Sequence, residues 1–410
     1  MNPSSSQPKL SIPLLQQRPF TWFLCARFAT MIAFQMQGVA VGWHIYSLTN
    51  SALFLGLVGL AQFLPMFFLT LAVGHVADRY DRRTVARICQ ITEGLAAGVL
   101  AWGSNSGWLG SEGILIIMFV VGAVHAFEGP TMHALVPGLV PAPLIPRAAA
   151  WSASAMQTAV ILGPALGGLL YTAGPTTVYA VVAVLFLAAS VFLALVRIDR
   201  APVKREPVSI STLFAGINFI RSRPDILGAI SLDLFAVLLG GATALLPIYA
   251  RDILVVGPWG LGILRSAPAV GALTVSILLA RRPLRSRVGR TMFLAVAVFG
   301  LATIVFGLST SFPLSLAALV VLGAADVFSV VIRQSLVQIE TPDGMRGRVS
   351  AVNSMFIGTS NQLGEFESGV TAHWFGVVPA VLIGGAGTLI VVLLWMRLFP
   401  QLLHVERLES

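Results

Sequence analysis

The chain has 410 residues, 56% of them apolar and 10% charged, with a mean hydropathy of +0.86. So little charge on so much apolar surface excludes a water-soluble globule, where about 25% of residues are charged. It equally excludes a disordered chain, which needs low hydrophobicity and high charge. Cys25 and Cys89, the two cysteines, both lie in apolar runs, so no disulfide framework is implied.

A helix needs roughly 20 apolar residues to cross the hydrocarbon core. In chain order twelve stretches meet that length, at approximately 20–47, 51–76, 84–103, 113–136, 148–172, 176–196, 224–248, 259–280, 291–309, 312–337, 349–372 and 375–397. The first follows a polar segment rich in Ser, Gln and Pro, exceeds a signal-peptide core and reads as an uncleaved helix. All eight tryptophans fall near predicted helix ends, as an interfacial aromatic belt requires.

Twelve spans put both termini on one side. Of the 26 Lys and Arg residues, 22 collect in the segments on that side, and the opposite side holds only Arg251. The positive-inside rule makes the rich side cytoplasmic, termini included. The net charge of +9 is therefore a topology signal and not a nucleic-acid surface. A multi-pass membrane protein with lipids as its surroundings is expected.

The longest polar interruption, 197–222, divides the chain into 1–196 and 223–410, six helices each, with a cytoplasmic linker between. The halves resemble each other. Pro141, Arg147, Gly163 and Gly168 recur 201 positions later as Pro342, Arg348, Gly364 and Gly369. Pro19, Tyr46 and Pro65 recur as Pro224, Tyr249 and Pro268. Parallel repeats of this kind place a substrate site near mid-membrane between the halves.

Two motifs stand out. After the second span comes Gly74-His-Val-Ala-Asp78-Arg79-Tyr-Asp81-Arg82-Arg83, a tight basic turn. In the fifth span, Gly163-Pro164-Ala-Leu-Gly167-Gly168 combines a kinking proline with small residues that permit close packing. The first resembles motif A of the major facilitator superfamily, with Asp81 where glycine is usual. The second resembles motif C, found in exporters that run as antiporters, with Ala159 where a further glycine is usual. Glu128-Gly129-Pro130 and the run Thr341-Pro342-Asp343-Gly344-Met345-Arg346-Gly347-Arg348-Val349 resemble the branch that holds enterobactin exporters and related drug-efflux proteins. The resemblance implies an all-α membrane protein, twelve transmembrane helices in two six-helix bundles. It also implies that Gly74, Asp78, Arg79 and Arg82 form a conformational latch between the halves, and that Gly163, Pro164, Gly167 and Gly168 kink the fifth helix.

Ionisable groups are costly in hydrocarbon and face a cavity or a partner. Glu93, Glu128, Asp233, Asp326, Glu365 and Glu367 fall within predicted spans against Arg27, Arg265 and Arg333, so acids are in surplus. A carboxyl in a low-dielectric cavity holds its proton more tightly, which suits a proton-coupled cycle. Asp326, Asp233, Glu128, His125 and Glu93 are the candidates for proton coupling. His125 and Asp326 are equivalent positions of the two repeats and are expected to face the central cavity. Helices 1, 4, 7 and 10 line the cavity in the superfamily, which adds Gln35, Phe34, Arg27, Phe127 and Phe328, with Asn361 of helix 11, as substrate contacts. Arg333 lies two turns after Asp326 on a similar face, and so near the cytoplasmic end that snorkelling to lipid is the alternative to a role beside Asp326.

No Walker motif, nucleophile elbow or metal-ligand spacing occurs, so neither enzyme activity, nor a cofactor, nor a bound metal is expected. The reading is a proton-coupled antiporter that exports an amphipathic small molecule, a drug-like compound or a siderophore, by alternating access. The alternatives are a lipid or lysolipid facilitator and a non-transporting membrane receptor.

Overall fold

A computed structural model describes residues 14–197, 210–282 and 286–406, with the side chains of residues 15, 70–79, 210–213, 343 and 351 left aside. The described chain is helical throughout, because a backbone in hydrocarbon must satisfy its own hydrogen bonds. The first six long helices are α1 (Arg18–Thr49), α2 (Ala52–Arg79), α3 (Arg82–Ser106), α4 (Ser111–Leu139), α5 (Ile145–Tyr171) and α6 (Pro175–Leu195). A shorter α7 (Ile210–Ser222) precedes α8 (Pro224–Leu239). The α8 span then breaks at Gly240–Gly241 and resumes through a 3-10 turn, the short α9 (Leu246–Ile248) and a π-turn at Tyr249–Ile253. The remainder is α10 (Gly257–Arg281), α11 (Val288–Leu308), α12 (Phe312–Glu340), α13 (Asp343–Phe375), α14 (Val377–Leu398) and the terminal turn α15 (Pro400–Leu403).

Every one of the twelve expected spans coincides with a helix or, for the seventh, with the broken α8–α9 pair. Ten are long and apolar enough to cross a membrane on those grounds alone. The other two, α3 and α13, carry Arg82, Arg83, Arg87 and Glu93, and Arg346, Arg348, Glu365 and Glu367, which lower their apolarity. The α7 helix was not expected: it lies in the stretch read as linker and packs along α13, where Gly216 approaches the Arg348 carbonyl.

Local chemistry sets the helix ends. Proline stands in the first turn of α1, α5, α6, α8, α10 and α12, where its missing N–H costs nothing. The turn between α5 and α6 closes at Gly174, whose φ of 104° a side chain would resist. At the α2–α3 turn, Asp81 caps α3: its carboxylate accepts from the Thr84 backbone N–H at 3.0 Å and from the Thr84 hydroxyl at 2.8 Å. The departure from glycine at this position thus supplies an N-cap.

Within α1–α6, α1 packs on α5 and α6, α2 on α4, and α3 on α6 and α4. In the later helices α8 packs on α13 and α14, α10 on α12, and α11 on α12 and α14. Two seams join the sets, α5 against α10 and α2 against α13. Both are built on glycine. A Cβ at Gly168 would stand 2.9 Å from the Gly262 Cα, and one at Gly56 would stand 3.0 Å from the Gly369 Cα. Side-chain hydrogen bonds across the seams, among the described residues, fall at mid-helix or toward the end opposite the termini. Gln157 donates to the Ala269 carbonyl (3.1 Å), Ser266 to Ile161 (2.6 Å) and Arg265 to Gly38 (3.4 Å). At the far end the Tyr46 hydroxyl donates to Asp252, and Arg251 reaches the Tyr46 carbonyl (3.3 Å) while its guanidinium lies over the Tyr46 ring.

Candidate functional site

Two polar clusters occupy equivalent places in the two helix sets. The first lies among α1, α3 and α4. Glu93 of α3 is 0% exposed and Glu128 of α4 3%. Between them His125 of α4 places Nδ1 3.4 Å from Glu128 and 3.9 Å from Glu93. Glu128 follows His125 by three residues, so one helix face presents both. The ring of Phe34 stacks on His125 with centroids 4.4 Å apart and planes 14° from parallel. Among the described residues, both Glu93 oxygens, Oε1 of Glu128 and Nδ1 of His125 have no hydrogen-bond partner. Arg27 lies in the field of Glu128, but its Nη2 donates to His133 at 3.3 Å. One turn away Gln90 donates to Thr30 at 2.8 Å.

The second cluster lies among α8, α11 and α12. Asp233 pairs with Arg333 at 3.2 Å and accepts a long bond from Ser329 at 3.4 Å. Arg333 also donates to Asn353 of α13 at 2.8 Å. Asp326 shares a cavity of about 10 Å³ with Asp233, Ser329 and Phe299, room for about one water. Among the described residues no cation reaches Asp326 within ion-pair distance, although it lies in the fields of Asp233 and Arg333. Of the two readings of Arg333, the snorkelling one fails. Its side chain is 2% exposed, held inward because α13 brings Asn353 to its open side. Asp233 is correspondingly a paired acid.

The expected cavity residues separate. Phe127 lines a groove of about 620 Å³ between α3 and α4, together with Tyr80, Thr84, Ile88, Cys89 and Thr92. Gln35 is taken up by helix packing, its Cβ only 2.6 Å from where a Gly163 Cβ would lie. Phe328 is partly buried on α12, and Asn361 is exposed on α13. Glu367 accepts from Thr371 at 2.7 Å. Glu365 packs into the α2–α13 seam, where a Cβ on Gly59 would meet its Oε2 at 3.0 Å, and it lies in the field of Arg265.

Gly163, Gly167 and Gly168 are buried, and Pro164 sits inside α5. A Cβ on Gly167 would meet the Met36 backbone at 2.9 Å, so these glycines set both the α1–α5 and the α5–α10 distances. Of the proposed latch, Gly74, Asp78 and Arg79 end α2, and their side chains lie outside the described residues. Arg82 does not cross to the other helix set: it donates to the Ala134 carbonyl of α4 at 3.2 Å, while Arg83 donates to Val196 at the end of α6 at 2.7 Å. Sequence reasoning placed Glu93, His125 and Glu128 separately and missed that they converge.

Two parallel sets of six spans, joined by glycine seams around buried charge, define a multi-pass transporter of the major facilitator fold. The chain belongs to the transmembrane secretion effector family of that superfamily, matched over residues 11–409. It is similar to the enterobactin exporter EntS of Citrobacter koseri, 26% identical over 96% of this chain and 95% of that protein. It is also similar to the multidrug efflux pump Tap of Mycobacterium bovis, 28% identical over 83% of this chain and 85% of that protein. Among solved structures it resembles a mutant form of the nucleoside transporter NupG, with a TM-score of 0.72, 15% identity and coverage of 93% and 100%. The family and these relatives are transporters.

Proposed function

We propose that the protein is a proton-coupled antiporter of a bacterial inner membrane, exporting an amphipathic small molecule of the siderophore or drug-like class. The halves 1–196 and 223–410 rock about the α5–α10 and α2–α13 seams, with both termini and the 197–222 linker in the cytoplasm. In that orientation the seam contacts of Tyr46, Asp252 and Arg251 lie on the outer side and hold that side closed. The protein works as a monomer in lipid.

The observation that carries the coupling is the charge balance in the second cluster. Two carboxylates, Asp233 and Asp326, share one arginine, and Arg333 is committed to Asp233 and Asn353. Among the described residues Asp326 is left without a paired cation, beside a water-sized cavity. Binding H⁺ neutralises it, and releasing H⁺ restores a charge that must be met by solvent or by a rearranged Arg333. Such a two-state demand couples a proton to a change in helix packing. The cargo class is supported by the similarity to an enterobactin exporter and a multidrug pump, and by the large apolar groove beside Phe127.

Proteoliposomes with an imposed pH gradient test the reading. Efflux of a siderophore or drug panel should follow the gradient and collapse on addition of a protonophore. Efflux that persists without a pH gradient or potential removes the coupling, and efflux of labelled lipid alone favours a lipid facilitator.

A further inference from the structure

Outside the cluster that carries proton coupling, one group of side chains has the makings of a metal site. Glu93, His125 and Glu128 bring one ligand atom each within 4.8 Å of one another. The His125 Nδ1 distance to Glu128, 3.4 Å, matches the separation of adjacent ligands around a four-coordinate ion with bonds of about 2.1 Å, roughly 3.4 Å, and the distance to Glu93, 3.9 Å, is a little wider. Both carboxylates are buried, and among the described residues neither oxygen of Glu93 has a hydrogen-bond donor. Buried carboxylates are elsewhere hydrogen-bonded or paired. The nearest fixed cation, Arg27, is turned to His133.

We propose that Glu93, His125 and Glu128 bind one divalent transition-metal ion of the zinc class. Two carboxylates balance the charge of the ion, and neutral imidazole supplies the nitrogen that separates such ions from Mg²⁺ and Ca²⁺, which take oxygen ligands only. Phe34, stacked on the ring, fixes the orientation of His125. Cys89, one helical turn before Glu93 on α3, lines the groove of about 620 Å³ from which an ion would reach the site. The ion sits in the first helix set, independent of Asp326.

The test uses the full chain purified in detergent and the metals alone. After chelation and dialysis against Zn²⁺ or Co²⁺, the protein should hold one ion per chain by elemental analysis, and Mg²⁺ should not compete. Co²⁺ should give the visible absorption of a low-coordinate site. Glu93→Gln and His125→Asn should each weaken binding by roughly 100-fold or more, since even outer-shell changes cost 10–100-fold. Glu128→Gln, nearly isosteric, guards against misfolding, and each variant is checked by its melting curve without metal. Asp326→Asn should bind normally, so failure of the coupling reading leaves this one standing. Absence of stoichiometric binding, or binding that all three ligand variants retain, overturns the site.

Discussion

Gly168 of α5 and Gly262 of α10 meet so closely that a Cβ on Gly168 would lie 2.9 Å from the Gly262 Cα and would press on the Pro258 carbonyl oxygen. Gly56 of α2 and Gly369 of α13 repeat the contact at the other seam, where a Cβ on Gly369 would lie 2.6 Å from the Gly56 Cα. Small residues let helices approach to backbone contact in lipid, where packing is the main attraction between them.

Gly168→Val should therefore wedge α5 from α10 and disfavour the closed outer seam. Efflux should fall at least about tenfold, the equivalent of roughly 1.4 kcal/mol, at unchanged membrane abundance. Wild-type efflux in this variant would show that the seam does not need backbone contact.

The clasp of Tyr46 with Asp252 and Arg251 fastens the end opposite the termini. Tyr46→Phe keeps the ring under Arg251 and removes the hydroxyl. The closed end should loosen by about 1 kcal/mol, the ordinary size of one such bond. Faster thiol labelling of a cysteine placed at Ser47 checks this; unchanged labelling would assign the closure to the glycine seams alone.

Removing one partner of the Asp233–Arg333 pair leaves a buried charge. Asp233→Asn should lower stability by about 3–5 kcal/mol, whereas combining Asp233→Asn with Arg333→Met should recover much of the loss. Melting of the purified variants by intrinsic fluorescence reads both. Asp326→Asn should melt near wild type and lose proton-driven efflux, because Asp326 has no paired cation to abandon.

At the α2–α3 turn, partial burial pushes the Asp81 carboxyl up, but the Thr84 hydroxyl and backbone N–H and the nearby Arg83 outweigh it, leaving the group below its ordinary value. A depressed folded value means that the cap stabilises above the unfolded carboxylate range, near pH 4, and is lost as pH falls through the lower folded value. Asp81→Ala should cost about 1 kcal/mol at neutral pH. The difference in melting temperature between it and the wild type should shrink on acidification below about pH 4. A constant difference would remove the cap from the account.

The helices were legible because an unbroken apolar run of membrane length admits one backbone solution. The seams were legible in part: Gly168 and Gly369 surfaced through the repeat, but their partners Gly262 and Gly56 belong to no motif. Glu93 could be read as costly in hydrocarbon, yet its convergence with His125 and Glu128 depends on α3 packing against α4. The inward set of Arg333 was hidden for the same reason, since Asn353 arrives from another helix. The α7 helix was available in the spacing of Leu213, Phe214, Ile217 and Ile220, which fits a helical face within a stretch set aside as polar.

Pro164 and Glu365 stand at matching positions of α5 and α13. One seam thus carries a rigid ring and the other an acid within electrostatic reach of Arg265. In the proposed rocking cycle the two seams would answer unequally to their surroundings, the first through shape alone and the second also through any charge that passes beside it.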